Sequence, residues 1–179
     1  MSHPLASRLD RSIVLVGLMG AGKSTIGRRL AKRLDLRFVD SDEEIADAAG
    51  YTAAEVFERF GEADFRDGER RLVARLADGP LRVIATGGGA FVDGETRALL
   101  NARCHTVWLD APVEILAERT GRRDTRPLLR GTDREAKLRQ LLDDRRAFYA
   151  EAHLHVRSSK AAHADVVDRI LIALDEHLA

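Results

Sequence analysis

The sequence predicts an α/β protein built on a five-stranded parallel sheet flanked by helices. Three observations carry this. Short apolar runs recur at residues 12–16, 37–39, 81–85, 106–109 and 155–156. Segments with helical apolar spacing separate them. The first three runs end in turns bearing glycine or aspartate, at Gly17, Asp40 and Thr86-Gly87. Strands that alternate with helices pair in parallel and are covered on both faces.

In chain order, residues 1–11 read as a flexible polar tail and residues 12–179 as one domain. After the first strand, Ile26, Leu30 and Leu34 lie at helical spacing and predict a helix from Lys23 to Leu34. The second strand runs into Asp40-Ser41-Asp42. Residues 43–76 read as several helices. Thr52 and Glu55 form a capping box, and Gly61 ends one helix before the next begins at Glu62. Asp93 or Gly94 opens a helix to Ala102, and a further helix spans 113–119. Residues 121–132 combine arginine, glycine and threonine without apolar periodicity and read as a mobile loop. Helices over 133–151 and 164–178 bracket the last strand.

Composition narrows the function classes. A 45% hydrophobic content argues against disorder, and zero formal net charge gives no basic patch for nucleic acid or an anionic membrane. No apolar run approaches the roughly 20 residues of a membrane span. Residues 1–11 lack the apolar core of a signal peptide. Cys104 is the lone cysteine and reads as a buried thiol. A cytoplasmic, monomeric protein without nucleic-acid or membrane partners is the expectation.

The strongest motif is Gly17-Leu18-Met19-Gly20-Ala21-Gly22-Lys23-Ser24, a G-x-x-x-x-G-K-[ST] loop between a strand and a helix. Its glycines let backbone N–H groups converge on phosphate oxygens, and the helix that follows turns its positive end to the same anion. Lys23 is placed to reach the β- and γ-phosphates, and Ser24 to ligate Mg2+. A P-loop NTPase architecture follows, with a nucleoside triphosphate as substrate and Mg2+ as cofactor. Gly20, Ala21, Gly22, Lys23, Ser24 and Thr25 form the candidate ATP-binding set.

Asp40 and Asp42 close the second strand, at the end of a parallel sheet where ligands gather. On an extended segment, residues i and i+2 project the same way, so both carboxylates are expected to face the loop. One would serve Mg2+ and the other an acceptor hydroxyl; the alternative role for Asp42 is to cap the next helix. Gly87-Gly88-Gly89 follow the third strand, where a small ligand could approach the backbone closely. Arg126 lies in the 121–132 loop, where a lid arginine could neutralise a transferring phosphoryl group.

Taken together, Gly17 to Thr25, Asp40-Ser41-Asp42, Phe65-Arg66-Asp67-Gly68-Glu69, Gly87-Gly88-Gly89, Arg126-Pro127-Leu128-Leu129, and Arg145 four residues before Tyr149 resemble the shikimate kinases, in the same order and over about residues 13–175. The resemblance implies ATP-dependent phosphorylation of the 3-hydroxyl of shikimate, giving shikimate 3-phosphate on the route to chorismate and the aromatic amino acids. It implies an acceptor-binding segment over 41–69 and a lid over 121–132. By the resemblance, Arg66 and Arg145 bind the acceptor carboxylate, for which a planar fork is suited. Asp42 meets the ring hydroxyls and, with Lys23 and Arg126, is catalytic. Phe57, Phe65, Gly87, Gly88 and Gly89 line the pocket, and Glu69 holds Arg66. Ser24 and Asp40 are the Mg2+ residues. Arg119 stacks on adenine. The chain departs from the family at His163, which stands where a proline often closes the other face of the adenine.

The same P-loop would serve a gluconate-type kinase or another small-metabolite kinase, without need for the triple glycine or the Phe65-Arg66 pair. A nucleotide-dependent switch would need a residue to orient water, and the only glutamine, Gln140, falls on a predicted helix.

Overall fold

A computed structural model of the chain describes residues 3–121, 133–159 and 162–179. The strands β1 (Ile13–Val16), β2 (Arg37–Asp40), β3 (Arg82–Ala85), β4 (His105–Asp110) and β5 (Leu154–Arg157) form one sheet in the order β2-β3-β1-β4-β5. Every pairing is parallel, and Val14 faces Ile84 on one side and Thr106 on the other. All residues of β1 are buried, as expected for a central strand covered on both faces.

The helices are α1 (Lys23–Leu34), α2 (Ser41–Ala49), α3 (Ala53–Asp78), α4 (Gly94–Arg103), α5 (Val113–Gly121), α6 (Arg134–Tyr149) and α7 (His163–His177). Helix α1 has the limits that its apolar spacing predicts, and its buried face carries Ile26, Leu30 and Leu34. Helix α3 is two helices run together: Gly61 has φ 84° and ψ 168°, outside helical space, at the break the sequence expects. The hydroxyl of Thr52 accepts from the amide of Glu55 (3.1 Å), which forms one half of the capping box. At α4 the capping residue is Asp93, whose carboxylate accepts from the Thr96 amide (3.0 Å). Cys104 is fully buried, which pushes its thiol up to about 11.

Residues 3–11 depart from the loose tail expected of them. Pro4–Arg8 form a 3-10 helix capped by the His3 side chain, and Leu5 and Leu9 are buried in the core at 1% and 7% exposure. Arg8 pairs with Asp175 of α7. The two leucines favour docking of the segment, since each buried leucine contributes roughly 1.5–3 kcal/mol.

β1 runs into the loop that begins at Gly17, beside the end of β4. A Cβ at Gly17 would lie 2.6 Å from the Leu109 carbonyl oxygen, so the P-loop can leave the sheet beside β4 only at a residue without one. The sheet thereby delivers the loop, the end of β2 and the end of β3 to one edge. Among the described residues no helix is long and apolar enough to cross a membrane.

Candidate active site

Two adjoining hollows open at that edge. The larger, about 440 Å³, is lined by Gly20, Gly22, Lys23, Ser24 and Thr25, by Asp40 and Asp42, and by Arg119 and His163. Lys23 Nζ donates to the carbonyls of Gly17 (2.8 Å) and Leu18 (3.0 Å), which holds the ammonium across the loop. Ala21 packs its side chain into the core and adds only backbone, its amide donating to Leu18 O at 3.2 Å. The start of α1 brings its free amides to the same cleft, a ready site for phosphate oxygens.

Ser24 Oγ donates to Asp40 Oδ2 at 2.5 Å. Asp40 Oδ1 accepts from the amides of Asp42 (2.9 Å) and Glu43 (3.4 Å). The extended arrangement expected for 40–42 is therefore wrong. Asp40 ends β2 and is the cap of α2, and Asp42 already stands in the first helical turn. An aspartate just ahead of a helix satisfies amides that would otherwise be orphaned, and this draws the helix start forward to Ser41. Both carboxylates still line the cleft. The hard oxygens of Ser24 and Asp40, close together beside the start of α1, form a donor set that suits Mg2+.

On the far wall, Arg119 Nη1 donates to Gly20 O and Ala21 O at 3.2 Å each. His163 sits at the first residue of α7. Its pKa is lowered by burial first, then by the neighbouring charges of Arg119 and Arg29, so the ring favours the neutral form. A neutral imidazole and a guanidinium thus flank the space beyond the loop.

The smaller hollow, about 170 Å³, is lined by Met19, Asp42, Ala53, Ala54, Phe57, Phe65, Arg66, Glu69, Gly87, Gly88 and Gly89. Phe57 and Phe65 meet edge to face with centroids 5.5 Å apart. Each glycine after β3 has a distinct neighbour. A Cβ on Gly87 would crowd Asp42 (2.8 Å), one on Gly88 would lie 3.6 Å from Arg145 Nη1, and one on Gly89 would overlap the Arg66 guanidinium. The run of glycines leaves room for these side chains and exposes backbone between them. The two hollows share Asp42, Gly87 and Gly88.

Glu69 Oε1 accepts from Arg66 Nη1 at 2.6 Å, as the resemblance implies for this pair. Glu69 is 1% exposed, and its Oε2 has no hydrogen-bond partner among the described residues. Burial pushes its pKa up to about 7, outweighing Arg66, which lowers it; Asp42 and Asp93 raise it further.

The structure brings together the sequence-derived residues of both sets except Arg126, which lies outside the described residues along with 122–132. Several lining residues were missed: Met19, Ala53 and Ala54 in the smaller hollow, and Arg28, Glu43, Thr86 and Thr120 in the larger. Tyr149 was noted only as a landmark. Its buried hydroxyl donates to Gly88 O at 2.6 Å, so it fixes the middle glycine. The signal was available, since Tyr149 follows Arg145 by one helical turn and shares its face.

A separate cluster, His105, His153 and His177, offers ring nitrogens within 4.8 Å of one another at the opposite end of the strands. His153 Nδ1 accepts from the Thr106 amide (3.2 Å), which places the ring proton on Nε2 and leaves no bare nitrogen on that ring for a cation. The cluster ties β4 to the start of β5.

Comparison with known proteins agrees on one family. A family model described as shikimate kinase matches residues 19–175. A shikimate kinase of Caulobacter vibrioides is 52% identical over 174 residues, covering 97% of this chain and 87% of its own. The structure of a shikimate kinase from Acinetobacter baumannii in complex with shikimate matches with a TM-score of 0.89 and 40% identity, over 93% of this chain and 94% of its own. A gluconokinase from Sinorhizobium meliloti matches with a TM-score of 0.63 at 20% identity, over 93% of each chain, which is a likeness of fold.

Proposed function

We propose, from the premise that this chain belongs to the shikimate kinase family and phosphorylates shikimate with ATP, that its two hollows divide the reaction between donor and acceptor. The observation that carries this reading is that the hollows meet at Asp42, Gly87 and Gly88. A hydroxyl held in the smaller would face a γ-phosphoryl group held in the larger.

In the larger hollow the amides of Gly20 to Thr25 bind the triphosphate, with Lys23 on its β- and γ-oxygens. Arg119 and His163 close on the adenine, a stacking for which a neutral histidine is suited. Ser24 and Asp40 would hold Mg2+, which when bound offsets the charge on the β- and γ-phosphates. In the smaller hollow Arg66 and Arg145 bind the shikimate carboxylate. Phe57, Phe65 and the three glycines enclose the ring, within an acceptor-binding segment over 41–69. Asp42 accepts the proton of the 3-hydroxyl as its oxygen bonds to the γ-phosphorus. The bond from that phosphorus to the β-phosphate oxygen breaks, and ADP leaves.

Three further readings belong here. The protein acts in the cytoplasm, supported by its use of ATP and by a free thiol buried at Cys104. It acts as a monomer, supported by how few large apolar side chains are exposed among the described residues, Tyr51, Phe60 and Ile172. Its product feeds aromatic amino-acid synthesis.

Substitution of Arg66 or Arg145 by alanine tests the acceptor half. Loss of a charge-assisted contact of roughly 1.5–3 kcal/mol raises the shikimate KM by ~10-fold or more and leaves the ATP KM little changed. Equal weakening of both substrates in steady-state kinetics would remove the carboxylate clamp from this account.

A further inference from the structure

The acceptor hollow carries more negative charge than the clamp requires. Arg66 on α3 and Arg145 on α6 face the glycine run. Against them stand Glu69 on α3, Asp42 on α2 and, at the start of α4, Asp93. Asp93 is occupied by Arg70, at 3.2 Å. Two carboxylates thus already border two arginines before an anionic acceptor arrives. Of these carboxylates Glu69 is the one taken out of water, at 1% exposure. One of its oxygens is spent on Arg66, and the other, Oε2, is buried without a partner. That oxygen borders the same glycine as Asp42: a Cβ on Gly87 would lie 2.8 Å from Asp42 Oδ1 and 3.4 Å from Glu69 Oε2. A bare, buried carboxylate oxygen beside a second carboxylate is a place for a proton.

We propose that Glu69 is a proton-carrying positioning residue: the anionic acceptor enters together with a proton that settles on Glu69, so that Arg66 passes from one carboxylate to the other. This rests on the reading that Arg66 meets the acceptor carboxylate. The proton comes from solvent, and no bond to phosphorus is involved. With Glu69 neutral, the occupied pocket sets two arginines against two carboxylates, the acceptor's and that of Asp42.

The direction of the pH effect follows. Free Glu69 titrates at about 7. An acceptor carboxylate on Arg66 cancels the one cation that lowers this value and adds a like charge, so the bound value is higher. At pH 6 Glu69 is largely protonated before binding, and affinity owes nothing to proton uptake. At pH 8 it is largely ionised, a proton must be taken up, and affinity falls.

Two measurements on the full chain test this, after the rise in shikimate KM of Arg66→Ala at pH 6, with the ATP KM unchanged, has separately checked the reading beneath it. Calorimetric titration with shikimate at pH 8, in buffers of different ionisation enthalpy, is expected to show net proton uptake. The shikimate KM of the wild type is expected to rise roughly fivefold from pH 6 to pH 8, as one further unit of pKa shift in the complex would give. Glu69→Gln, which keeps the shape of the protonated acid, is expected to flatten that rise and abolish the uptake. Absence of proton uptake by the wild type overturns the proposal. So does a folded Glu69→Gln variant whose KM climbs with pH as the wild type's does, or one that binds shikimate poorly at both pH values.

Discussion

Replacement of Lys23 by alanine is expected to lower kcat by about 10²–10³-fold while the fold survives, in line with the loss of one preorganised charge at a transition state. The side chain spans the loop through the Gly17 and Leu18 carbonyls, so some loosening of the loop accompanies its loss. The two effects are separable. A structural contribution appears as a lower Tm and a weaker Kd for ADP. The electrostatic contribution appears as a fall in turnover at saturating ATP, because charge on the γ-phosphoryl oxygens is met by the ammonium as the leaving oxygen departs. A variant with near-normal kcat at saturating ATP would mean that the loop binds nucleotide without taking part in transfer.

Replacement of Asp42 by asparagine is expected to cost turnover by about 10²–10⁴-fold, the usual span for a positioned general base. Asparagine keeps the size and the hydrogen-bonding capacity toward a ring hydroxyl, but it cannot take the proton. The helix start does not depend on this side chain, since the cap of α2 is Asp40 and residue 42 contributes its backbone amide to that cap. Stability is therefore expected to stay near wild type, and the shikimate KM to change far less than kcat. A large rise in shikimate KM with kcat at saturating shikimate preserved would reassign Asp42 to binding alone.

Much of the fold was legible because its signals are local. The apolar spacing of Ile26, Leu30 and Leu34 marks α1 to the residue, and Thr52 and Gly61 mark where α3 begins and breaks. Expected strand limits differed by one residue at polar ends: Asp40 joins β2 and His105 and Asp110 join β4, while Ser12 stays outside β1. Pairing in a sheet rewards the backbone there whatever the side chain.

Other features were not legible because they depend on partners distant in sequence. Leu5 and Leu9 look like isolated apolar residues until α7 is seen beside them, with Asp175 opposite Arg8. Asp40 turns from strand end to helix cap through the amides of Asp42 and Glu43, and Ser24, sixteen residues earlier, holds its other oxygen. The lining of the two hollows was readable in part as a list of residues. Its arrangement was not, because the contacts of Gly87, Gly88 and Gly89 lie on α2, α3 and α6. No periodicity could say which glycine faced which side chain, or that Tyr149 holds the middle one.

The central claim is that the meeting of the two hollows at Asp42, Gly87 and Gly88 makes this chain a transferase for shikimate. The most direct measurement is the rate of ADP release with Mg2+ and ATP, taken alone, with shikimate and with gluconate, while phosphorus NMR follows the fate of the γ-phosphate. The account predicts slow release with ATP alone or with gluconate, release at least ~100-fold faster with shikimate, and one new phosphate ester formed on shikimate for each ADP. Release that is indifferent to shikimate with free phosphate as the product, or that gluconate stimulates more strongly, would contradict it.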